Sequence, residues 1–133
     1  MGEKKSPFKF IASVKGIIVF MGFLLFNILL LSVKKTPFVQ QYFQEVFTHT
    51  SNFIITSILM GTVSFIWILQ GAPFKLVIWL GLVAILMNFA VEIFVTVLNT
   101  PDIIDAVYGT AGVVVTVLLM LVFNRLGLKE VVN

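Results

Sequence analysis

Four long runs almost free of charge constrain this chain more than anything else in it. They cover residues 16–33, 52–70, 76–98 and 103–124, each close to the ~20 apolar residues that a helix needs to cross a bilayer. A chain of 133 residues that is 59% hydrophobic, with a mean hydropathy of +1.10, has too little polar surface to wrap such runs as a soluble domain. Inside hydrocarbon every backbone N–H and C=O must find an internal partner, and a helix provides one within each run. The expected fold is therefore all-α: a single membrane domain, 1–133, forming an integral four-helix bundle of two antiparallel hairpins. No room is left for a soluble catalytic module.

The charges fix an expected orientation. Lys4, Lys5, Lys9, Lys15, Lys75, Arg125 and Lys129 fall on one side if both termini are cytoplasmic, and only Lys34 and Lys35 on the other. By the positive-inside rule both termini are placed in the cytoplasm, in a multi-pass protein of the cell membrane. The same positions explain the net charge of +3 without nucleic acid, since the basic residues mark the ends of apolar runs. The first run resembles a signal peptide in its basic flank, but it is too long and lacks a small-x-small cleavage site, so it reads as a retained helix. With no cysteine and one histidine, neither a structural disulfide nor a usual zinc or haem site is expected.

Between the first two runs, Phe38, Val39, Tyr42, Phe43, Val46 and Phe47 share one helical face, with Gln40, Gln41, Gln44 and Glu45 opposite. Thr36 and Pro37 supply a cap and a first-turn proline. A short amphipathic helix over 37–48, lying in the membrane interface, is the expectation. Gln70-Gly71-Ala72-Pro73 should stop the second span, and Asn99-Thr100-Pro101-Asp102 should turn the third into the fourth with Thr100 as cap.

The polar residues inside the spans are not scattered. Asn88, Glu92, Thr96 and Asn99 recur at helical spacing on the third, and Asp102, Asp105, Gly109, Gly112 and Thr116 on the fourth, so each set forms one stripe. A short turn between the two spans should make the stripes face each other, with Tyr108 beside Glu92 and Asp105. Asn27 and Asn52 are expected at a similar depth, in the outer half of the bilayer. Asn, Thr and Gly also serve simply to hold membrane helices together, at ~0.6 to 2 kcal/mol per hydrogen bond. Glu92 is harder to dismiss: a buried carboxylate must carry a proton or be surrounded by donors, and no Lys or Arg lies within a helical turn of it.

These residues resemble the VanZ-like family of small bacterial membrane proteins. Glu92 in a late span, the turn, Asp102 with Asp105, and the glycine-bearing last helix with Gly109 and Gly112 carry the resemblance. Leu30-Leu31-Ser32, Thr36-Pro37 and Asn52-Phe53 extend it to about residues 29–122. The family's glutamine after the glutamate and arginine in the turn are absent: Val95, Thr96 and the Leu98 to Pro101 stretch stand there. Its Lys and His before the second span are replaced by Thr48 to Asn52, with His49 out of register. The resemblance implies an envelope protein named for a glycopeptide (teicoplanin) resistance factor.

Three functions compete at this point. The first is a non-enzymatic protein whose outer pocket, lined by Glu92, Asp105, Asp102, Tyr108, Asn99, Asn88, Asn52 and Asn27, binds a lipid or lipid-linked headgroup and modulates glycopeptide sensitivity. Three acids with no outer base favour a cationic, hydroxylated or metal-bridged ligand over a bare phosphate. The second is a small enzyme or proton-coupled carrier using Glu92 as acid or base. The third is a structural subunit that packs on a membrane-protein partner through Ser57/Gly61 and Gly109/Gly112. No catalytic residue, resident metal or cofactor is assigned.

Overall fold

The computed structural model describes residues 7–94 and 102–131. Four helices are long and apolar enough to cross a membrane: α1 (Val14–Lys34), α4 (Thr50–Leu69), α5 (Lys75–Phe94) and α6 (Ile103–Leu126). Two short helices, α2 (Pro37–Tyr42) and α3 (Gln44–Thr48), precede α4. The protein is membrane-embedded and multi-pass.

Local chemistry explains the boundaries. Ser13 caps α1, its Oγ accepting from the Gly16 N–H at 3.1 Å. At the end of α4, Gly71 takes φ +84°, a value that glycine adopts without a Cβ clash. Its N–H then donates to Ile68 O and that of Ala72 to Trp67 O, closing the helix as the Gly-Ala-Pro sequence predicts. At α6 the cap is Asp102 rather than Thr100, because the aspartate Oδ1 reaches the Ile104 N–H at 2.9 Å. The third span's expected last turn, with Thr96 and Asn99, lies outside the described residues.

Two expectations are corrected. The 37–48 segment is not one helix: Phe43, at φ −133° and ψ 19°, breaks it into α2 and α3. The break turns Val39 inward and leaves Phe38, Tyr42 and Phe43 exposed in mutual ring contact. Nor is the chain wholly helical. Strands β1 (Phe10–Ala12) and β2 (Leu128–Glu130) pair antiparallel, Phe10 with Glu130, Ile11 with Lys129 and Ala12 with Leu128. The chain is extended just before α1 and just after α6, and edge groups that face each other there satisfy one another. Further bonds run from Ser13 N to Gly127 O and from Lys9 N to Leu69 O, so the starts of the chain and of α1 are bound to the ends of α6 and α4.

The packing differs along the molecule. Towards the strand pair, Met60, Ile68, Val77, Val113, Met120 and Phe123 form an apolar core, with Phe20 stacked on Phe65 at 4.0 Å and Phe65 against Phe123 at 5.0 Å. Since lipid is as apolar as these side chains, contact and close approach hold the helices rather than water expulsion. Glycines allow that approach: a Cβ at Gly112 would stand 2.6 Å from Phe53 O, and one at Gly109 2.5 Å from Asn88 Nδ2. Outward rows such as Ile18, Met21 and Leu25 on α1 stay exposed, as lipid-facing residues should. At the other end the interior turns polar.

Candidate functional site: a histidine and carboxylate cluster

The polar end is built by the first turns of α4 and α6 and the last described turns of α5. His49 sits between the short α3 and the long α4, which follow one another with only this residue between them. This places its ring against the start of α6. The Nδ1–H donates to Asp105 Oδ1 at 2.8 Å, and Asp102 Oδ2 stands 3.5 Å from the same nitrogen. Side-chain exposures of 13% for His49 and 17% for Asp105 make this a largely desolvated pair, whereas Asp102 is 37% exposed. Tyr108, one turn after Asp105, lays its ring beside the imidazole, centroids 5.6 Å apart.

Glu92 reaches the same place from α5. It is 7% exposed, and its Oε2 accepts the Asp102 backbone N–H at 3.2 Å. That hydrogen bond satisfies a donor that the start of α6 leaves unpaired, so the glutamate holds the residue that caps the helix. Asp102 in turn spends Oδ1 on the cap and keeps Oδ2 towards His49.

The structure thus brings together Glu92, Asp102, Asp105 and Tyr108, and adds His49, which the sequence stripe left out. Asp105 directs its side-chain hydrogen bond to His49 rather than to another carboxylate. The reason is the nearer donor: an imidazole N–H one helix away offers a charge-assisted bond that a second carboxylate cannot. The same residue sets a base beside the acids, while Lys34 lies at the end of α1, its Nζ donating to Ser51 Oγ at 2.6 Å and Thr48 O at 3.0 Å.

The asparagines lie elsewhere. Asn88 Oδ1 accepts from Thr56 Oγ1 at 3.3 Å, and its amide packs on Gly109, which serves helix contact. Asn27 is fully buried and donates to Phe23 O of its own helix at 2.9 Å. Asn52 is half-buried one turn after His49, with no side-chain hydrogen bond among the described residues. Asn99 lies outside them.

Beside the cluster, Lys34, Val39, Gln40, Gln44, Phe47 and Thr48 line a cleft of about 360 Å³ between the end of α1 and the two short helices. The charges therefore separate: carboxylates and imidazole on one side of Thr48, and an ammonium with amides on the other. Comparison of the chain with protein-family models, with curated proteins and with solved structures gives no match.

Proposed function

We propose that this chain is a VanZ-like, non-enzymatic envelope protein whose outer-end pocket binds the headgroup of a lipid or lipid-linked molecule and tunes glycopeptide sensitivity. In this reading it is a bundle of two antiparallel hairpins with both termini cytoplasmic, as the seven-to-two distribution of basic residues supports. The observation that carries the reading is the convergence of Glu92, Asp102, Asp105 and His49 at one end of otherwise apolar helices. Holding ionisable groups there costs several kcal/mol by contested estimates, and such groups mark ligand paths. The neighbouring Lys34 cleft supports a headgroup with both parts: an anionic group against the ammonium and a hydroxyl or amine against the carboxylates.

The test is native mass spectrometry of the protein released from membranes in mild detergent, comparing the parent with Glu92→Gln and Glu92→Leu. Glutamine still offers an acceptor to the Asp102 N–H and retains lipid. Leucine strands that donor, at about 1–3 kcal/mol, and loses lipid at matched amounts of folded protein. Equal retention by both variants, or no lipid on the parent, defeats the proposal. The His49–Asp105 bond also fits acid–base chemistry, since such a bond sets the tautomer of a proton-transferring histidine. That second reading requires turnover of a supplied substrate that His49→Gln abolishes.

A further inference from the structure

We infer that His49, Asp102 and Asp105 form a binding site for one divalent transition-metal ion of the zinc class. One imidazole nitrogen and one oxygen from each carboxylate lie within 4.8 Å of one another. Two donors on a tetrahedral zinc, each ~2.0–2.2 Å from the ion, stand about 3.3–3.6 Å apart. The Asp102 Oδ2 to His49 Nδ1 distance of 3.5 Å already has that spacing, and the Asp105 contact of 2.8 Å must open by about half an ångström to reach it. A mixed nitrogen and oxygen set suits zinc or manganese better than calcium or magnesium, which prefer oxygen alone.

Charge makes the case independently of spacing. Three carboxylates and one imidazole meet at this end. No Lys or Arg nitrogen of the described residues lies within 4.0 Å of these carboxylates. The neighbouring residues 95–101, Val-Thr-Val-Leu-Asn-Thr-Pro, contain no base. Lys34 is engaged with Ser51 and Thr48. A divalent ion would bring to the two aspartates the fixed positive charge that no Lys or Arg of the described residues brings.

The donors are also held from behind, as metal ligands are. Oδ1 of Asp102 is fixed by the Ile104 N–H, its backbone N–H by Glu92, and the His49 ring by Tyr108. Coordination uses the Nδ1 lone pair, so the proton now shared with Asp105 leaves that nitrogen, and the neutral coordinating ring carries its single proton on Nε2, any second proton being released to solvent. Three protein donors leave a fourth position open, where a phosphate or hydroxyl oxygen of the headgroup can bind. The inference deepens the pocket reading above and rests on it for the headgroup alone. It departs from the expectation that a chain with one histidine and no cysteine holds no usual zinc site.

The test uses the full chain in a phosphate-free maltoside detergent, stripped with a chelator and titrated with Co²⁺, then with Zn²⁺ in competition. Visible d–d absorption should saturate at one Co²⁺ per chain and be displaced by Zn²⁺. Asp105→Asn should weaken binding by more than about tenfold, as losses even of outer-shell groups do. His49→Gln, which keeps a polar side chain of similar reach and whose folding is checked by gel filtration, should abolish the absorption. Gln41→Ala, on the exposed face of α2 and outside the cleft, should bind as the parent does. Absent saturation in the parent, or equal binding by folded His49→Gln, overturns the site. Lipid retention in a chain that binds no ion defeats the ion alone, and ion binding in a chain that retains no lipid defeats the headgroup reading alone.

Discussion

His49 and Asp105 share a hydrogen bond in a largely buried site, and the balance of that bond is measurable. A charge-assisted bond of this burial contributes ~1.5–3 kcal/mol. Neither residue alone reports it, because each single loss also strands a buried partner. A double-mutant cycle with His49→Gln and Asp105→Asn in metal-free protein should therefore give a coupling of about 1–2 kcal/mol by reversible denaturation, with the same cycle on His49 and Asp102 giving less. Equal couplings would mean that both aspartates act only through the helix start. The acids of this site were legible in the sequence, since spacings of three and four put Asp102 and Asp105 on one face and Glu92 on another helix's inner stripe. The histidine was not: its position becomes meaningful only when α3 runs on into α4 and brings residue 49 against α6, which is a tertiary fact.

Elements in this protein stand or fall on how closely backbones approach. Gly112 packs on the Phe53 carbonyl and Ser57 Oγ, whereas Gly22 on α1 has open space where a Cβ would be. Gly112→Ala should thus lower stability by ~1–3 kcal/mol through overpacking against backbone that cannot rotate away. Gly22→Ala should be neutral or gain up to about 1 kcal/mol from helix propensity. Unfolding in mixed detergent micelles, read by far-UV circular dichroism, checks the pair; similar losses would show that close approach is not what holds α4 to α6. The long spans and the Gly71 stop could be read from composition and turn chemistry. The break at Phe43 could not, because periodicity continues through it and only the approach to α4 decides where the chain bends. Strands of three residues, Phe-Ile-Ala and Leu-Lys-Glu, are likewise too short to carry a period.

For the whole molecule, the β1–β2 ladder requires residues 10–12 and 128–130 to lie on the same side of the membrane. Which side is a matter for labelling. Gln41→Cys, exposed on α2, should react with a membrane-impermeant thiol reagent in intact cells, and Lys129→Cys should react only after lysis; the reverse pattern would invert the pocket. The ladder also says something about time. Its second strand is made more than a hundred residues after its first, so at ~5–20 residues per second the former waits roughly ten seconds for a mate. Through that interval the nascent chain holds an unpaired edge beside a membrane already receiving its helices. Closure of the ladder consequently follows synthesis of all four spans, and a chain halted before residue 128 can have inserted every one of them and yet not be fastened.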